Sequence, residues 1–185
     1  DPLLDNALAG SWEPSAFDGG TPAASNDLEP DFDGLTVLGT ECVLYDTNSA
    51  GESPFVGGET RTVQVTGTLT GQGGAGSCVP AGASSVVFRI SSVDPLTEGN
   101  LLMTPAGVAA TGSAGVVNYG AANGLNNANT VTVPVSAGGA VDIGANAGPA
   151  GTVPTTDVRL VAIGYYSPNV DPDLKYFAMN PCPVA

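Results

Sequence analysis

The chain has 185 residues and a net charge of −14, from 18 Asp and Glu against 4 Lys and Arg, and it contains no His. Its length fits one domain with a core of its own. The acidic excess repels phosphate, which argues against nucleic acid and anionic membrane as partners. Without His there is no Ser-His-Asp or Cys-His catalysis and no His-ligated zinc, and the single lysine, Lys175, leaves almost no room for a P-loop or Schiff-base chemistry.

Residues 1–34 differ from the rest. Asp1, Asp5, Glu13, Asp18, Asp27, Glu29, Asp31 and Asp33 stand there without a Lys or Arg, and Pro2, Pro14, Pro22 and Pro30 break any helix or long strand. The segment reads as an extended acidic arm. Leu3, Leu4, Leu8, Trp12 and Phe17 are costly to leave in water, so these anchors are expected either to fold back on the arm's own domain or to dock on a neighbouring subunit.

From Leu35 the pattern is β. Period-two alternation predicts strands over Thr60–Leu69, around Val86, Phe88 and Ile90, around Val131, Val133 and Val135, and around Val158, Leu160 and Ala162. Shorter candidates are Leu35–Leu38, Cys42–Tyr45, Asn100–Thr104, Gly115–Tyr119 and Ala140–Ile143. Gly138-Gly139 between two such runs signals a hairpin turn, and Pro134 puts its strand at a sheet edge or a bulge. No segment holds a helical period over three turns. The fold class that follows is all-β: one antiparallel β-sandwich or jelly roll over residues 35–168, preceded by the arm, with residues 169–185 as a tail packed on or beside it.

The cysteines are Cys42, Cys78 and Cys182, with no C-x-x-C pair. In an oxidising compartment three cysteines give one disulfide and one leftover thiol, and spacing alone leaves all three pairings open. The start at Asp1, without Met, gives the expectation of a mature chain whose signal peptide has been removed. No run approaches 18 apolar residues, so no membrane-spanning helix is expected.

Several ordered blocks recur together: Cys42-Val-Leu-Tyr-Asp46-Thr47, Gly58-Glu59-Thr60-Arg61 leading into Val63-Gln-Val65, Cys78-Val-Pro80, Gly99-Asn-Leu101 with Thr104-Pro105-Ala-Gly107, Val117-Asn118-Tyr119, Ala128-Asn129-Thr130-Val131-Thr-Val133-Pro134, and Val161-Ala-Ile-Gly164-Tyr165-Tyr166. In these blocks, from Cys42 to Tyr166, the chain resembles a β-domain family of secreted actinobacterial and other bacterial proteins, often tandemly repeated or appended to hydrolases. The resemblance implies a secreted β-sandwich module with no catalytic activity, used structurally, for adhesion or for surface attachment. It also implies a Cys42–Cys78 disulfide.

Two further patterns invite a ligand. Asp27, Glu29, Asp31 and Asp33 put oxygen donors at every second position before Gly34, a spacing that can wrap calcium. Asn123, Asn126 and Asn127, with Tyr166, offer amides and a ring of the kind a sugar uses. The functional expectation is a non-enzymatic extracellular protein, a subunit of a self-assembling filament or surface layer whose partners are copies of itself. The alternative is an adhesion module that binds cell-surface glycan.

Overall fold

The computed structural model describes residues 34–74, 76–110, 115–121, 126–146 and 154–168. The arm anchors Leu3, Leu4, Leu8, Trp12 and Phe17, the calcium candidates Asp27, Glu29, Asp31 and Asp33, and also Asn123, Cys182 and the tail lie outside these residues.

Nine strands carry the described fold: β1 (Gly34–Asp46), β2 (Phe55–Val56), β3 (Thr60–Gln64), β4 (Ser85–Val93), β5 (Gly99–Pro105), β6 (Gly115–Tyr119), β7 (Asn127–Pro134), β8 (Ala140–Asn146) and β9 (Pro154–Ser167). One four-residue helix, α1 (Thr47–Ala50), follows β1. The larger sheet runs β1-β9-β4-β7, with β2 added on β9, and the smaller runs β3-β8-β5-β6. All pairings are antiparallel. Setting β2 aside, the first, eighth, third and sixth strands face the second, seventh, fourth and fifth. That is the strand order of a jelly roll, two Greek keys folded into two sheets.

Alternation decides which faces meet. β4 is the clearest case: Val86, Phe88, Ile90 and Ser92 are buried, while Val87, Arg89, Ser91 and Val93 on the other face are half-buried. Val63, Leu101, Met103, Val117, Val141, Ile143, Leu160 and Ala162 complete the layer between the sheets. Each large side chain buried there contributes roughly 1.5–3 kcal/mol.

The structure amends the expected elements at several points. Leu35–Leu38 and Cys42–Tyr45 belong to one strand, β1, because both pair with β9; residues 38–41 bulge between the Val37–Gly164 and Cys42–Ala162 pairs. The strand expected over Thr60–Leu69 ends at Gln64, and the chain turns at Gly67, whose φ of 74° suits glycine. The Gly138-Gly139 turn forms, with Gly139 N–H donating to Ser136 O at 2.7 Å. It joins no hairpin, since β7 lies in one sheet and β8 in the other. Pro134 does sit on an edge strand, β7.

Candidate functional site

A sandwich exposes four lateral edges, here β1 and β7 of the larger sheet and β3 and β6 of the smaller. An unpaired edge is a template for another strand. In this domain carboxamides bridge the two sheets at points along these flanks. Asn127 and Asn129, both exposed, reach across from β7, and their Nδ2 atoms donate to Asn118 O at 2.8 Å and Val116 O at 2.9 Å on β6. On the opposite flank Gln72 stands between β1 and β3. Its Nε2 donates to Leu44 O and Gln64 O at 3.2 and 2.9 Å, and its Oε1 accepts from Gln64 N–H at 3.0 Å. The backbone helps, with Asp46 N–H donating to Gln72 O and Tyr45 bridging Gly73.

The loop that carries Gln72 is pinned a few residues later by the Cys42–Cys78 disulfide, with Cα atoms 6.3 Å apart. This pairing fits an oxidising, extracellular compartment.

At one end of the sandwich Arg61 organises the segment from β1 to β3. It shares the parity of Val63 and Val65, so it points toward the core side of β3. Its Nε donates to Glu59 Oε1 at 2.6 Å and its Nη2 to Glu59 Oε2 at 3.1 Å, a two-pronged pair. Nη1 reaches Glu52 Oε2, Tyr45 Oη and Ser53 O, Nη2 also reaches Pro54 O, and the guanidinium lies 4.1 Å from the centre of the buried Phe55 ring. Burial alone would raise the Glu59 carboxyl, but Arg61 and the Val56 N–H outweigh it and hold it below the usual range. Burial, aided by donation to Glu52 at 2.5 Å, pushes the Tyr45 hydroxyl up to about 12.

The sign of the Tyr45 shift fixes a pH dependence. A folded-state value above the unfolded one means the folded protein holds the proton more tightly. The associated stability is intact below pH 10 and is lost as pH rises from 10 toward about 12. The expected result is an unfolding free energy that declines over that window, with tyrosinate absorbance developing later than in free tyrosine. In Tyr45→Phe the part of the decline due to this hydroxyl should vanish. An identical alkaline profile in Tyr45→Phe would refute the assignment.

Other singled-out residues also have places within the fold. Asp46 caps α1, accepting from Ser49 N–H at 3.1 Å. Thr47, fully buried, donates to Asp157 at 2.6 Å and accepts from Val158 N–H at 3.1 Å, which ties α1 to β9. Arg89 pairs with Glu41, and Arg159 faces Asp46 at 3.8 Å. Asn126 Oδ1 accepts from Asp94 N–H at 2.8 Å, so Asn126 and Asn127 both bind within the domain. Tyr166 lies on the outer face of β9, away from these amides, while its neighbour Tyr165 packs against the core. A shallow groove of about 300 Å³ crosses the outer face of the smaller sheet, lined by Thr60, Thr104, Val108 and Asp142. Asp142 there accepts from Thr62 at 2.6 Å and from Gly107 N–H at 2.8 Å. No cluster of three metal-ligating side chains occurs among the described residues.

Like the outer side of β7 from Val131 to Pro134, the start of β1 from Gly34 to Leu38 has no partner among the described residues on the side away from β9. Its residues are uncharged, and Val37 is 73% exposed. Sequence reading marked this strand but missed its edge position, which depends on where β9 returns.

Comparison with models of known protein families, with characterised proteins and with solved structures found no match.

Proposed function

We propose that this protein is a non-enzymatic extracellular structural subunit, whose residues 1–34 dock on a neighbouring copy to build a filament or surface layer. The observation that carries the reading is the unpartnered, uncharged start of β1, where Val37 is 73% exposed. This stretch directly follows the arm and has no partner on its outer side among the described residues. Arm to edge is a contact between unlike surfaces, which propagates as an open filament. The disulfide suits an extracellular setting. A glycan-binding role has less support, because the Asn126 and Asn127 amides act inside the domain and lie apart from Tyr166.

Electron microscopy of the purified full chain tests the reading. Fibres or sheets are expected from the native sequence, and Trp12→Ala should weaken assembly far more than it lowers the melting temperature. Monodisperse particles at every concentration, together with retention on cell-wall glycan, would reverse the choice.

A further inference from the structure

We infer that the acceptor for assembly is the open edge of β1, Gly34–Leu38, and that residues 3–13 of a second copy add to it as a strand. This rests on the filament reading above and names its interface.

The acceptor has the properties that edges in stable monomers are built to avoid. It carries no Lys, no Pro and no charge, and Val37 is the most exposed of the large apolar side chains among the described residues. The bulge that opens at Leu38 ends the usable ladder there. A short added strand is therefore the fitting ligand, rather than another sheet.

The donor is chosen by pattern. Between Pro2 and Pro14 lies an unbroken run of 11 residues, Leu3 to Glu13. Proline cannot donate to a ladder, so a run free of it is what strand addition needs. In extended backbone Leu4, Leu8 and Trp12 fall on one face, and Asp5 and Glu13 fall on the other. Main-chain hydrogen bonds would supply attachment, and the alternating anchors would set register.

Connectivity favours a second copy over self-pairing. The arm enters the domain at Gly34, at the open edge itself. Between the donor and that point stand Pro14, Pro22 and Pro30, then Asp27, Glu29, Asp31 and Asp33 with no cation. Uncompensated carboxylates repel one another and extend a chain. A connector of about 20 residues reaches roughly 60 Å when extended, enough to span a neighbouring subunit.

The test uses the full chain, with Val37→Lys as the edge variant and a synthetic peptide of residues 3–13 as probe. Assembly is followed by sedimentation and microscopy, folding by thermal melting, and the edge by amide exchange at Leu35–Leu38. The expected result is that wild-type assembly protects these amides, and that excess peptide inhibits it. Val37→Lys should raise the concentration needed for assembly about tenfold or more and abolish peptide binding, with the melt unchanged. Should that variant melt early, peptide competition and amide protection in the wild type decide alone. Wild-type assembly without amide protection and indifferent to peptide overturns this interface and leaves the filament reading standing. Concentration-independent protection would mean the arm pairs with its own β1, and peptide-insensitive dimers would mean β1 pairs with β1; each overturns the inference. A wild type that never assembles overturns both readings.

Discussion

Replacing Arg61 by Ala should destabilise the domain by about 2–3 kcal/mol, below the range of about 3–5 kcal/mol for breaking a fully buried pair, because Arg61 and Glu59 keep 19% and 26% of their side chains exposed. In a chain of this size that is a fall of roughly 4–12 °C in melting temperature. The cost arises from what Arg61 leaves behind. Glu59 would keep a half-buried carboxylate with its principal partner gone, and the Ser53 and Pro54 carbonyls would lose their donors. Arg61→Lys should recover less than half of the loss, because an ammonium cannot bind Glu59 in a fork and lie flat over Phe55 as well. Glu52→Gln is the contrasting case. That carboxylate is 40% exposed, so its pair with Arg61 is screened by water and its loss should cost under about 1 kcal/mol. Urea unfolding of the three variants gives the order directly. A cost below about 1 kcal/mol for Arg61→Ala would mean that burial of Phe55 alone holds residues 52–59.

The two-sheet architecture was legible because most of its strands keep one apolar face. In β4 every second residue from Val86 to Ile90 is buried, and β6 forms at its expected bounds. What escaped depends on contacts distant in sequence. β2 is two residues long and exists because Phe55 pairs with Thr156. α1 has no period to read, and only its Asp46 cap and Gly51 terminus mark it. A Gly-Gly turn specifies local backbone, not whether the next strand stays in the same sheet, so the Gly138-Gly139 turn predicted a hairpin where the chain changes sheets. The carboxamides were the subtler loss. Gln72, Asn127 and Asn129 resemble loop polarity in one dimension, and only the folded chain brings β6 beside β7 and Gln72 between β1 and β3. Arg61 left a usable signal, because its parity with Val63 and Val65 put a cation on a core-facing track.

Removing the Cys42–Cys78 disulfide should cost roughly 4 kcal/mol on the chain-entropy account, since the bridge closes a loop spanning 36 positions. Gly74→Ala should destabilise the same region by a different route. A methyl group there would run into the backbone of β1, against Val43 O and 2.6 Å from Leu44 O, where no flexible side chain can give way. The two changes need not weaken one another. The disulfide acts mainly by restricting the unfolded chain, whereas Gly74 acts through a contact of the folded one. After the bridge is removed, Gln72 still joins Leu44 to Gln64, and Gly73 still bridges Tyr45, so the loop stays seated on β1. The expectation is therefore near-additivity in the double-mutant cycle between Cys42→Ser/Cys78→Ser and Gly74→Ala, within about 0.5 kcal/mol. A Gly74→Ala penalty that largely disappears without the disulfide would show that the bridge, rather than Gln72, holds the loop on β1, and that the flank between β1 and β3 opens when the cysteines are reduced.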